Sequence, residues 1–425
     1  MPYKILMVAP TSFFSDTGCH VRILEEARAL RQRGHVVSVC TYRKGRDIDG
    51  FAIYRTAPLP WRQHYEVGSS RHKLAYDALL FFRVLERVLR DRPDVIHAHM
   101  HEGALIGGII GRSLGIPVLF DFQGSATSEM VDHHFLDPKG RWYRPMRWLE
   151  QQIDRLPRAF VTSTQSAARL LRDQFHCPAE RVTPVLDCVN TDVWKPDALA
   201  SEERSSLRRS LGIPSEARLV VYLGLLAEHQ GTSLLLRAAT HVVREVPDAY
   251  FLIMGYPGVN EYRAYAHALG LAGRAVLTGR MDYEHAPRYL ALGDIAVAPK
   301  VSATEGAGKL LNYMASALPT VTFPTPVNQE YLGDLGLYAR TADEAGLVEA
   351  LIHALRDVQA LRPLGLTMRR RAIERFVWDD AAARLEAVYE HIAGRQAATS
   401  APEPTPAARD GIQKVEWPER DVLRE

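Results

Sequence analysis

Apolar runs of strand length alternate with helix-like segments over residues 4–163, and the same alternation restarts at residue 219. No other feature restricts the fold as much. A short, largely apolar run bounded by turn residues suits a strand covered on both faces. Residues 4–9, 36–41, 94–97, 117–122 and 159–163 are such runs, and 74–90, 104–114 and 147–155 carry helical patterns between them. In the first helix Val21, Leu24, Ala27 and Leu30 fall on one face, and Gly34 can cap the end. Strand, helix, strand in this order specifies a doubly wound parallel sheet. After a charged stretch at 201–210, strands are expected at 219–223, 250–254, 275–277, 295–298 and 320–323. Two doubly wound α/β halves leave a cleft between them, and such sheets bind ligands there.

Length agrees, because 425 residues exceed one ordinary core. The expected partition is 1–195, a linker at 196–216, a second half at 217–376, and a last helix at 377–394 that packs back on the first half. Residues 395–425 begin Ala/Pro/Ser/Thr-rich and read as a disordered tail. A net charge of +2 argues against a dedicated nucleic-acid binder. The four cysteines show no CxxC pairing and read as reduced thiols of a cytoplasmic protein. The apolar run in MPYKILMVAP is too short for a signal peptide. No stretch approaches the roughly 18 apolar residues of a membrane span. The expectation is a soluble protein, peripheral to a membrane at most.

Chemistry concentrates in residues 304–323, TEGAGKLLNYMASALPTVTF. Glu305, Gly306, Ala307 and Gly308 precede a helix-like run that begins at Lys309. A glycine-rich turn feeding a helix exposes unpaired N–H groups and the positive end of the helix dipole, a seat for a diphosphate. Glu305 repels phosphate, so it suits hydroxyl groups of the kind sugars offer. Together they point to a nucleotide-sugar site, although a glycine-rich helix entry can also be only a tight turn.

Five blocks in order resemble the retaining glycosyltransferases of family 4. They are the opening KILMVAPTSFFSDTGCHVRILEEARALRQRGHVVSV, then DVIHAHMHEGALIGGIIGRSLGIPVLF, VLDCVNTDVWKP, VYLGLLAEHQG and APKVSATEGAGKLLNYMASALPTV. The third matches the family's interdomain segment through Asn190, Asp192, Trp194 and Pro196. The resemblance implies the GT-B architecture, two Rossmann-like domains facing across a cleft. It implies a nucleoside-diphosphate sugar as donor substrate, a glycan or lipid-linked acceptor, no cofactor, and retention of configuration. Carried over by position, Glu305, Gln123 and His99 fall at the reacting sugar. Gly18, Gly224, Gln230, Gly255, Arg280, Gly306, Ala307, Gly308, Lys309, Leu310 and Asn312 fall at the donor. Glu129, Asp132 and His133 are candidates on the acceptor side.

The chain departs from the family in four places. Leu225 and Gln230 stand where two basic residues usually contact the diphosphate, so two charge-assisted contacts are missing. Asn312 replaces a glutamate placed on the ribose, and Gln123 replaces a histidine, losing a group that can carry a proton. These changes support a second reading, a non-catalytic relative that binds a sugar nucleotide or scaffolds a partner. A GT-B epimerase would need an ordered acid and base around the sugar, and no such set is visible.

Metal is not expected. The only Asp-x-Asp, Asp47 to Asp49, lies in a polar loop and reads as a solvated turn. His97, His99 and His101 alternate, but zinc would need further ligands and none stands out. The run RWYRPMRWLEQQIDR mixes Trp142, Tyr143 and Trp148 with arginines. It could touch a membrane surface or an acceptor, but its second half fits an ordinary amphipathic helix.

Overall fold

The computed structural model describes residues 2–16, 18–58, 73–132, 135–300 and 307–394. Glu305, Gly306, His133 and the tail at 395–425 lie outside the described residues. In the first half the strands are β1 (Lys4–Ala9), β2 (Val36–Thr41), β3 (Ala52–Arg55), β4 (Val95–His99), β5 (Val118–Phe122), β6 (Ala159–Thr162) and β7 (Val182–Pro184). The helices there are α1 (Gly18–Gln32), α2 (Lys73–Asp91), α3 (Met100–Leu114), α4 (Ala126–Asp132), α5 (Tyr143–Ile153) and α6 (Gln165–Asp173). After α7 (Ser201–Ser210) the second sheet is built from β8 (Arg218–Leu223), β9 (Ala249–Met254), β10 (Ala275–Gly279), β11 (Ile295–Ala298), β12 (Thr320–Thr322) and β13 (Leu337–Tyr338). Its helices are α8 (Thr232–Glu245), α9 (Val259–Ala268), α10 (Ala286–Leu290), α11 (Gly308–Ala315), α12 (Pro326–Leu332), α13 (Glu344–Arg356) and α14 (Arg362–Arg375), and α15 (Trp378–Ala393) follows.

Both sheets are parallel, in the orders β3-β2-β1-β4-β5-β6-β7 and β10-β9-β8-β11-β12-β13. Strand order reverses between β1 and β4, and again between β8 and β11. The connections leaving neighbouring strands part at those points and open a crevice at the strands' C-terminal ends. The central strands are apolar because helices cover both faces. β4 and β5 are buried along their whole length. The glycines of α3 show how closely a helix lies on them. A Cβ at Gly107 would meet Ile96 Cγ2 at 3.0 Å, and one at Gly111 would meet Val118 Cγ2 at 2.4 Å.

The chain crosses between the halves twice, and the crossings are bonded to each other. The Val189 N–H donates to the Phe376 carbonyl at 2.9 Å. Beyond the second crossing, α15 lies on the first half. Tyr389 O and His97 Nδ1 are 2.8 Å apart, and Arg158 donates to the Ile392 carbonyl at 2.9 Å. Residues 201–210, within the expected linker at 196–216, are a helix. Glu202 and Glu203 sit in its first turn and Arg208 and Arg209 in its last, as the helix dipole favours. Arg204 ties it to the Leu292 carbonyl at 3.1 Å, so local charge that reads as a linker is an anchored surface helix.

Candidate functional site

In the second half, the ends of β8 and β9 lie side by side. A Cβ at Gly255, after β9, would meet the Gly224 carbonyl oxygen at 1.9 Å, so the turns after β8 and β9 touch because both lack side chains. Gly224 in turn leaves room for the ammonium of Lys309, which a Cβ there would meet at 2.6 Å. Lys309 Nζ donates to Gln230 Oε1 at 3.0 Å and to the Tyr222 hydroxyl at 3.3 Å. It also sits 4.4 Å from the centre of the Tyr222 ring. Gln230, in place of a basic residue, therefore holds the ammonium of another one. Leu225 contributes its carbonyl, which accepts from the Tyr222 hydroxyl at 2.7 Å.

Helix α11 begins at Gly308, which is exposed, and Ala307 before it is buried. Leu310 is fully buried in the core, so its side chain faces away from the crevice. Asn312 is half-buried one turn further on. Gly18, at the start of α1, has nothing within 4 Å of its Cβ position. Arg280, expected at the donor, does not stand free: its Nη2 donates to Asp16 Oδ2 at 2.8 Å.

Across the crevice, the end of β5 carries a buried charge centre that sequence spacing does not reveal. Arg22 of α1 donates through Nε and Nη2 to Asp121, at 2.9–3.1 Å, and through Nη1 to Asp187 at 2.9 Å. Glu26, one turn along α1, lies 2.9 Å from the same guanidinium. Asp121 also takes Gln123 Nε2 at 2.9 Å and His99 Nδ1 at 3.0 Å. Gln123 and His99 are thus oriented by one carboxylate. Burial would raise the Asp121 carboxyl, but Arg22 and His99 hold it far below the usual range. Burial raises Glu26 and Asp187, against the pull of Arg22. Asp187 reaches the other half as well, accepting from the Tyr331 hydroxyl at 3.1 Å. Its Oδ2 lies 4.0 Å from the Cβ position of Gly308.

His99 is fully buried, so it faces the crevice only through Asp121 and Gln123. His97 is buried too, and desolvation pushes its pKa well down. With Glu26, the two histidines bring three ligand atoms within 4.8 Å of one another. Their rings are stacked, with centroids 4.5 Å apart and an interplanar angle of 23°. In-plane lone pairs of stacked rings run alongside each other and do not converge on one ion. Arg22 already supplies a cation to Glu26. The trio reads as part of the charge centre rather than a metal seat. Asp47 is exposed and paired with Arg55 at 2.7 Å.

Of the residues expected on the acceptor side, Glu129 is exposed and Asp132 half-buried, both on α4. Beside them Trp142 and Trp148 are about three-fifths exposed, at 60% and 61%. The indole of Trp142, just before α5, and that of Trp148, on α5, are both left in solvent. The inner face of α5 is polar as well as apolar, with Glu150 and Ile153 buried.

Two parallel α/β halves meeting at their strand ends define a two-domain Rossmann-like fold. Residues 17–186 match the model of the glycosyl transferase 4-like domain, and residues 217–357 match that of glycosyl transferases group 1. The chain belongs to this glycosyltransferase family. It is 28% identical over 404 residues to a D-inositol 3-phosphate glycosyltransferase of Thermobispora bispora, covering 88% of this chain and 89% of the relative. It is 24% identical to a phosphatidyl-myo-inositol mannosyltransferase of Mycolicibacterium smegmatis, covering 92% and 94%. Among solved structures it resembles a sucrose-phosphate synthase from Thermosynechococcus elongatus, with a TM-score of 0.75, 16% identity, and 92% and 100% coverage. Anabaena HepE, solved with UDP-glucose, superposes with a TM-score of 0.73 at 15% identity, covering 92% and 100%. Among the described residues no helix is long and apolar enough to cross a membrane.

Proposed function

We propose that this glycosyltransferase moves a sugar, with retention and without a metal, from a nucleoside-diphosphate sugar to an acceptor used in cell-surface polysaccharide, lipopolysaccharide or glycolipid assembly. The observation that carries the reading is the start of α11, where Lys309 lies beside Gly224 and Gly308 lies next to Asp187 of the first half. The N-terminal N–H groups of α11 and the Lys309 ammonium would stabilise charge as it develops on the leaving diphosphate. Gln123, fixed through its amide NH2, keeps its carbonyl for a sugar hydroxyl. Glu305, outside the described residues, is assigned to the same end of the donor by its place in the family motif. Attack on the face the diphosphate leaves, with that phosphate taking the acceptor proton, would retain configuration. No step calls for a divalent ion.

A panel of nucleotide sugars tests this, with nucleoside diphosphate release as the readout and chelator present. The named activities of the relatives put phosphorylated inositols and their lipids in the first acceptor set. Acceptor-dependent release that survives chelation is expected. Release that needs manganese or magnesium would sink the metal-free reading. Binding without turnover across the whole set would favour the non-catalytic alternative, for which Leu225 and Asn312 remain the supporting replacements.

A further inference from the structure

The turn after β1 does more than lead into α1. Asp16 adopts φ +60°, a left-handed conformation that a residue with a Cβ takes only at a cost. Its side chain is 1% exposed, yet three segments reach it. Arg46, from the same half, donates to Oδ1 at 2.9 Å. From the donor-side half, Arg280 donates to Oδ2 at 2.8 Å, and the Tyr283 backbone N–H donates to Oδ1 at 3.1 Å. Neighbouring contacts cross at the same place. The Tyr256 hydroxyl donates to the Ser15 carbonyl. The Phe14 and Tyr283 rings meet edge-on at 6.1 Å, and Arg46 continues to Glu284 at 2.7 Å. Burial alone would push the Asp16 carboxyl up, but Arg280, Arg46 and the Tyr283 N–H more than offset it and keep it charged.

Halves joined by an interface of this kind move relative to one another unless something holds them. We propose that Asp16 is a positioning residue for the transfer reaction: its carboxylate clamps the turn that opens α1 onto the donor-side half, so that the donor is enclosed between the two sets of strand ends while Asp16 holds Arg280 and Tyr283. The role of the clamp in catalysis rests on the function proposed above, whereas the clamp itself does not. Arg280 stays 48% exposed beyond this contact, so the clamp leaves one edge of its guanidinium open to solvent.

Small-angle scattering and calorimetry on the full chain test this, using wild type, Asp16→Asn, Arg280→Ala and the double variant, with UDP, GDP and ADP as probes. The described part of the chain, held compact, has a radius of gyration of about 21 Å. Each single variant is expected to exceed the wild-type value. Each should also weaken the best-binding nucleotide about tenfold, as loss of one charge-assisted pair implies. The double variant should be no worse than Asp16→Asn alone, because the Arg280 contact is one of those that Asp16→Asn already weakens. Unchanged scattering in Asp16→Asn would overturn the clamp, even with a lowered melting temperature. Tighter nucleotide binding in that variant would overturn it too, by showing that the carboxylate competes with the donor for Arg280. Additive losses would show that the two residues act separately. Arg280 is surface-placed after β10, so its variant keeps the test open should Asp16→Asn fold poorly. If wild type binds none of the three nucleotides, the donor-site reading falls, and scattering still decides the clamp.

Discussion

Lys309→Met removes one positive charge and keeps most of the side chain. The methionine can still lie along the Tyr222 ring, where the lysine ammonium now sits 4.4 Å from the centroid. In the free protein the change forfeits hydrogen bonds to Gln230 and to the Tyr222 hydroxyl, and a half-buried cation–π contact. Those are modest, about 1 kcal/mol in total. Towards a diphosphate the loss is larger. A charge-assisted hydrogen bond contributes about 1.5–3 kcal/mol. At about 1.4 kcal/mol per decade, nucleoside diphosphate affinity should fall roughly 10- to 150-fold. The parent nucleoside carries no phosphate, so its affinity should hold within about twofold. The assay is calorimetry with matched pairs, such as UDP with uridine, on wild type and variant. If the ratio of the two affinities is the same in both proteins, the ammonium does not face the phosphates and the donor assignment fails.

Two further perturbations probe buried charge in the first half. Asp154, 3% exposed beside His101 and Glu150, has its carboxyl raised to about 7 by burial. The folded chain therefore holds that proton longer than the unfolded one, and stability should fall as pH rises from about 4 to 7. The cost is at most about 4 kcal/mol for a shift of about three units. Asp154→Asn should match wild type at pH 4 and exceed it at pH 8 in urea denaturation; a variant weaker at pH 8 would mean that the charged carboxylate is a needed partner of His101. Asp121→Asn should cost about 3–5 kcal/mol by the same method, because it leaves the buried Arg22 guanidinium without its two-point partner. A loss under about 1 kcal/mol would show that Glu26 and Asp187 suffice.

The sequence by itself determined the two doubly wound sheets. β1, β4, β5, β8 and β9 are apolar along most of their length because helices cover both faces, and that burial is written as local composition. The order of the motifs placed Lys309 and Gly308 at a helix entry for the same kind of reason. A turn and the helix it feeds are neighbours in sequence. Charged segments were less legible, because their partners are distant in sequence. Within the expected linker, residues 201–210 form a helix whose Arg204 finds the Leu292 carbonyl 88 positions away. The run around α5 allowed either a surface patch or an ordinary amphipathic helix, and only the fold shows that Trp142 and Trp148 stay in solvent. Tertiary structure alone decided the charge centre and the clamp. Arg22 meets Asp121 across 99 positions and Asp187 across 165, and Asp16 meets Arg280 across 264. Hydrophobic burial imposes a period on the chain that can be read residue by residue. A salt bridge imposes none, because it needs only two atoms brought together, and the fold chooses which two.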